Sequence, residues 1–146
     1  MFYVQDDDNE YHALILRCTL SDLKCKGALI HKASQWLNRK EVQNNASINQ
    51  SGIKQNIHGL PNGNSLTFGY LSNINDLDTY QGSEYQFIGI DELTQLERFK
   101  YIYMRSRVRK TKDNKLPTQL MCSSNPGKRG NKWVRERFIE KIDTDI

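Results

Sequence analysis

Phe87-Ile88-Gly89-Ile90-Asp91-Glu92 (FIGIDE) is the stretch on which the reading of this chain turns. Four residues, all apolar or glycine, run straight into two adjacent carboxylates. A short apolar run without polar alternation is the pattern of a strand buried on both faces of a parallel sheet. The two acids then fall at its carboxyl end, the edge where open α/β sheets bind their ligands. Neighbouring side chains of a strand point to opposite faces, but the backbone turns where the strand stops, so both carboxylates can reach one site.

Working outward, His12 to Cys18 (HALILRC) is a second such run and predicts the first strand. Ser21 can cap the segment after it, and Leu23, Ala28, Leu29, Ala33, Trp36 and Leu37 recur at roughly helical spacing, so a helix is expected from about Ser21 to Leu37. Asn38 to Gln55 is rich in Asn, Gln and Ser and reads as a surface connection or a short irregular helix. An Asn-Gly turn at Asn62 and Gly63 feeds the alternation Leu66, Phe68, Tyr70, expected as a half-buried strand. Ser72 to Tyr85 reads as a polar loop. After FIGIDE come a helix from about Leu96 to Arg109, a turn at Lys112 to Lys115, a strand from Thr118 to Cys122 and a helix from about Lys132 to Lys141. Strands alternating with helices in this order predict an α/β fold. At 146 residues, 37% of them hydrophobic, the chain suffices for one core and one domain.

The acid pair suits a particular chemistry. Where such a strand end serves a nucleotide, the first acid, Asp91, can hold a magnesium ion that bridges the β and γ phosphates. The second, Glu92, can orient the attacking water or take its proton. The same two acids also suit the first turn of a helix, whose dipole favours negative charge, so FIGIDE alone does not choose. About thirty residues later Leu116 to Gly127 (LPTQLMCSSNPG) repeats the plan. Pro126 cannot continue a central strand, which sets Ser123, Ser124 and Asn125 at its end. Their hydroxyl and amide groups can hydrogen-bond a γ phosphate or the attacking water, and they equally suit an Asx or Ser turn.

The net charge of +4 is unevenly spread: Arg98 to Lys141 holds 14 Lys and Arg against three acids, a local charge of +11. Such a stretch attracts a polyanion, since each neutralised phosphate releases counterions. A solvated basic face has the same composition. Arg105, Arg107, Arg109, Lys128, Arg129 and Lys132 are the candidate contacts, although the three arginines also suit a helix carboxyl end. Trp133 and Phe138 read as core anchors of the last helix. Cys18, Cys25 and Cys122 form no CxxC pair and no histidine spacing, so free, buried thiols are expected rather than a disulfide framework or a zinc site. No run of 18 apolar residues appears and the opening MFYVQDDDNEY is acidic, unlike a signal peptide, so a soluble, unexported chain is expected.

Taken in order, these segments resemble the ATPase domain of tailed-phage terminase large subunits. ALILRCTLSDL (Ala13 to Leu23) is similar to the strand and helix after the phosphate loop in that family, and LPNGNSLTFGYL to its NGS-type hairpin. YQGSEYQFIGIDEL resembles its Gly-then-Walker B segment, and CSSNPGKRGNKWVRERFI its coupling motif and Trp-containing helix. The resemblance runs from about Ala13 to Ile139. It implies a RecA-like P-loop NTPase core with a mainly parallel sheet. Asp91 then matches the magnesium-associated Walker B acid, Glu92 the catalytic glutamate, and Ser123, Ser124 and Asn125 the coupling motif. Mg2+ and ATP are the cofactors it implies. The partners it implies are double-stranded DNA, a portal protein, a terminase small subunit, the remaining large-subunit segments and further copies in a homo-oligomeric ring, all in the host cytoplasm.

The chain departs from the family pattern in one large respect. It has no GxxxxGK[ST] sequence; GKRGNK at Gly127 follows the coupling motif and lacks the spacing and the terminal Ser or Thr. The family places that loop before the strand at His12 to Cys18. Residues 1–146 therefore read as a partial ATPase domain, with the phosphate loop expected upstream of Met1 and a nuclease domain beyond Ile146. Hydrolysis is expected to need those missing parts, and the sheet is expected to have an unpaired edge. The loop from Ser72 to Gln86 contains no arginine that could act as a finger on a neighbour. Two other readings stand: a RecA-like or helicase-related ATPase with the same truncation, and a non-catalytic nucleic-acid-binding or interaction remnant of a packaging protein.

Overall fold

A computed structural model describes residues 10–25, 27, 29–36, 47–49, 55–58, 64–110 and 115–141. The expected turn at Asn62 and Gly63, most of the turn at Lys112 to Lys115 and most of Asn38 to Gln55 lie outside the described residues.

The described residues form one six-stranded sheet. In chain order the strands are β1 (His12–Arg17), β2 (Ser47–Asn49), β3 (Gln55–His58), β4 (Ser65–Tyr70), β5 (Phe87–Ile90) and β6 (Gln119–Cys122), and in space they run β2-β3-β4-β1-β5-β6. β4, β1, β5 and β6 are mutually parallel, whereas β2 and β3 join the β4 side as antiparallel strands. The fold is α/β with a mainly parallel sheet, as the alternation of strands and helices implied. Among the described residues β6 pairs on one side only.

The apolar runs are continuous because the sheet is covered on both faces. On one face Leu14 and Leu16 of β1 and Ile88 and Ile90 of β5 pack with Tyr80, Leu96, Tyr101 and Met104. On the other, Ala13, Leu66 and Phe68 pack with Leu23 and Ala33 of the helices that follow β1. Each fully buried Leu or Ile there contributes about 2 kcal/mol of apolar burial. β4 is not the half-buried strand that its alternation suggested: Leu66, Thr67 and Phe68 are all buried, because β4 lies inside the sheet between β3 and β1.

Four further expectations are corrected. The helix expected from Ser21 to Leu37 is two helices, α1 (Leu20–Lys24) and α2 (Leu29–Trp36), separated near Gly27, whose φ of +82° ends regular winding. Its cap is Thr19 rather than Ser21: the Thr19 hydroxyl accepts the Asp22 N–H at 3.3 Å. Ser47 to Asn49 is a strand, drawn into the sheet by pairing with β3. The stretch expected as a polar loop contains a 3-10 helix, Ile74–Tyr80, because Leu77 and Tyr80 recur on one side and reach the core. Gly69 makes room for Tyr80, since a Cβ there would meet its hydroxyl, which donates to the Tyr70 carbonyl at 3.2 Å.

The remaining elements surround the strand ends. After β5 a short 3-10 turn, Leu93–Gln95, leads into α3 (Arg98–Arg105), shorter than the expected Leu96 to Arg109 because Ser106 caps it. α4 (Asn131–Arg135) continues as a wider π turn, Glu136–Glu140. Trp133 anchors α4, donating from its indole Nε1 to the Leu96 carbonyl at 3.0 Å with its ring centroid 5.3 Å from that of Tyr101. Phe138 is not a core anchor: it is 46% exposed, with the edge of Tyr101 and the guanidinium of Arg137 beside its ring. The cysteines are free, but none is fully buried: Cys18 is half-buried, and Cys25 and Cys122 are exposed.

Candidate functional site

Two adjacent parallel strands end side by side. Pairing of β5 with β6 in the register Ile90↔Cys122 carries Asp91 and Ser123 to the same edge. The Ser123 N–H donates to the Ile90 carbonyl at 2.9 Å, and the Leu93 N–H donates to the Ser123 carbonyl at 2.9 Å, so the two strand ends are stitched together past the last ladder pair.

The side chains follow that stitching. The Ser123 hydroxyl makes a short hydrogen bond to Oδ1 of Asp91. Oδ2 of Asp91 is taken by Arg17, the last residue of β1, with Nε at 2.7 Å and Nη2 at 2.5 Å. Burial alone would push the Asp91 carboxyl up, but the hydrogen bonds from Ser123 and Arg17 and the Arg17 charge outweigh it and hold the group below the ordinary carboxylate range. Asp91 is thus a fixed anion at neutral pH.

Glu92 has φ 58° and ψ 49°, the left-handed region that non-glycine residues seldom adopt. That reversal of the backbone lets successive residues serve one site: Asp91 meets Ser123, while Oε1 of Glu92 accepts from Nδ2 of Asn125 at 3.2 Å. Backbone strain of this kind persists where surrounding contacts over-determine it, and it clusters at functional positions.

Ser124 takes a different part. Its hydroxyl accepts the Thr94 N–H at 3.0 Å and donates to Thr94 Oγ1 at 2.9 Å, and Thr94 Oγ1 donates to the Asn125 carbonyl at 2.8 Å. Thr94 is 2% exposed, and its own carbonyl accepts the Gly130 N–H at 2.7 Å. A Cβ on Gly130 would lie 2.6 Å from Trp133 Nε1 and 2.7 Å from the Leu96 carbonyl oxygen, so only glycine fits there. Thr94 therefore latches the turn after β5 to the loop after β6, and Ser124 serves that latch rather than the open edge.

Sequence reasoning missed Thr94 and Arg17. The first looks like an ordinary turn residue, and the second reaches Asp91 only through the pairing of β1 with β5.

The six basic candidates fall into two groups. The backbone of Arg107 and Arg109 bonds to Tyr85, just before β5, so Arg105, Arg107 and Arg109 stand at the amino end of the sheet. Lys128, Arg129 and Lys132 follow β6, past its carboxyl end. The single basic face suggested by the charge count is therefore divided. Arg107 lies over the ring of Tyr103 at 5.2 Å, Arg109 pairs with Glu84 at 3.3 Å, and Arg129 pairs with Glu97 at 2.9 Å. Lys132 is 88% exposed, 3.9 Å from Glu136.

The oxygen donors on this edge suit magnesium, which is commonly held by one or two carboxylates together with substrate phosphates. Among the described residues no group of three or more His, Cys, Asp or Glu gathers as a closed metal site. Also among the described residues, no helix is long and apolar enough to cross a membrane.

The paired acids at one parallel strand end and the Ser-Ser-Asn loop at the next lie on the carboxyl edge of an α/β sheet, the edge where sheets of this class commonly bind ligands. This chain belongs to the terminase large subunit family of the T4likevirus type, whose N-terminal family model matches residues 9–145. Membership connects it with phage DNA packaging. No curated protein and no solved structure matches it.

Proposed function

We infer that the chain is part of the ATP-hydrolysing motor that translocates viral DNA into a procapsid, carrying the half of the nucleotide site that lies opposite the phosphate loop. One observation carries this reading: Asp91, Glu92, Ser123 and Asn125 come from two neighbouring strand ends and meet as hydrogen-bonded pairs on the edge where α/β sheets bind ligands. Magnesium, when bound with ATP, would neutralise charge on the β and γ phosphates. Asp91, kept ionised and held from two sides, is suited to orient that ion. Glu92 is suited to position the attacking water and accept its proton. Asn125 reads the Glu92 carboxylate and passes its state to the loop ahead of α4. In this reading residues 1–146 form a partial ATPase domain. Double-stranded DNA, a portal protein, a small subunit, the remaining large-subunit segments and further copies in a ring are its partners.

The sequence contains no GxxxxGK[ST], so a phosphate loop must come from elsewhere. The surplus of positive charge from Arg98 to Lys141 also suits a second reading, a non-catalytic nucleic-acid-binding remnant. Magnesium-dependent ATP hydrolysis, measured on the chain alone and mixed with a phosphate-loop segment of the same family, separates the two. Activity in the mixture that disappears in Glu92→Gln is the expected result. No activity in either sample, with DNA binding retained, would establish the non-catalytic reading.

A further inference from the structure

Arg17 holds Asp91, and its geometry is specific. The register Leu16↔Ile90 sets the end of β1 beside the end of β5. From there the guanidinium turns two of its nitrogens, Nε and Nη2, onto a single oxygen of Asp91, Oδ2. Its third nitrogen, Nη1, donates to the Asp22 carbonyl in α1 at 3.0 Å. Anchored on both sides, the side chain is 23% exposed and that of Asp91 25%. The Asp91 N–H is itself bound to the Leu16 carbonyl at 2.9 Å, so the carboxylate is held through backbone and side chain together. Ser123 lies on the opposite oxygen, Oδ1.

We propose that Arg17 is a positioning residue for the cation site: it withholds Oδ2 of Asp91 and leaves Oδ1, on the Ser123 side, as the one oxygen that Asp91 offers a divalent cation. This deepens the ATPase reading above and rests on it. Two consequences follow from the chemistry. A fixed guanidinium beside the carboxylate repels a second cation, so the chain alone holds magnesium weakly and the ion is retained only with the phosphates of a nucleotide. A carboxylate restricted to one oxygen also cannot chelate the ion in the bidentate manner. Lysine would keep the charge but not the fork, because an ammonium has no planar pair of donors to set the carboxylate plane and reach Asp22 at once.

The test is a Mn2+ titration of the whole chain without nucleotide, read by electron paramagnetic resonance, with thermal melting as a check on folding. Arg17→Ala is expected to bind Mn2+ about tenfold more tightly than the wild type, the scale of one unit charge removed from a partly exposed site. Arg17→Gln, which keeps the stem and a donor for Asp22, should tighten binding similarly and carries the test if the alanine variant does not fold. Arg17→Lys, which keeps the charge but not the fork, should fall between the wild type and the neutral variants. Adding Asp91→Asn to either neutral variant should remove the gain. Folded neutral variants that bind Mn2+ no more tightly than the wild type would overturn the positioning role while leaving Asp91 as a metal-associated acid. Binding that Asp91→Asn does not alter in any background would instead overturn the assignment of Asp91, and this proposal with it.

Discussion

Nδ2 of Asn125 lies 3.2 Å from Oε1 of Glu92, joining the loop after β6 to the residue that reverses the chain after β5. An amide donor beside a carboxylate is attractive, and replacing it by a second carboxylate makes the contact repulsive. Asn125→Asp is therefore expected to lower kcat in the reconstituted hydrolysis assay by about 100-fold, the scale of a displaced general base. Its melting temperature should stay within a few degrees of the wild type, because Asn125 is exposed and Glu92 only partly buried.

Glu92 stands in the left-handed region with a full side chain. Relieving that conformation with Glu92→Gly should raise the unfolding free energy by about 1 kcal/mol, read as a higher urea midpoint, while abolishing hydrolysis. A destabilised glycine variant would mean that the Asn125 contact outweighs the backbone cost.

Lys100 is a buried ammonium, 3% exposed, held by the carbonyls of Leu71 and Ser72 at 2.9 and 3.0 Å and by Glu97 at 2.9 Å. Glu97→Gln leaves that charge without its counter-ion and is expected to cost about 3 kcal/mol. The Glu97 carboxyl is held below its ordinary range chiefly by the hydrogen bond from Lys100, against a smaller push from burial. Its contribution is therefore complete above the ordinary glutamate pKa of about 4.3 and is lost as pH falls through the lower folded value. Urea midpoints of the wild type should drop below that pH, and those of Glu97→Gln should drop less.

The two basic groups can be told apart by salt dependence. Lys128→Ala and Lys132→Ala, which remove exposed charges past the carboxyl end of β6, should each weaken double-stranded DNA binding. Each should also make the slope of log affinity against log salt shallower by about 1. Arg107→Ala and Arg109→Ala should change little, since their side chains already engage Tyr103 and Glu84. Equal losses in both groups would place DNA across the two ends of the sheet.

What could be read in advance was whatever is written locally. FIGIDE carries its own apolar run and its own acids, and CSSNPG carries the proline that ends β6, so both strand ends were legible without knowing what lay beside them. Arg17 was not, because its meaning depends on β1 pairing with a strand about seventy residues away. Thr94 was hidden for a related reason: a hydroxyl in a turn looks solvated until the Ser124 loop closes over it. The 3-10 helix from Ile74 to Tyr80 was masked by its Asn and Asp residues, although Leu77 and Tyr80 already gave the spacing of its buried side. β2 consists of Ser, Ile and Asn, too short and polar a run to predict a strand without its partner.

β1 lies between β4 and β5, and neither neighbour is close to it in the chain: Leu16 faces Gly69 on one side and Ile90 on the other. A ribosome makes β1 well before either partner, since Leu16 precedes Gly69 and Ile90 in the chain. Until Ile90 has been added, Leu14 and Leu16 have no finished cavity to enter, and the nascent chain must carry them unsheltered over that interval. The acid edge comes into being in the same late event, because the residue that steadies Asp91 and the residue it steadies belong to the first and fifth strands.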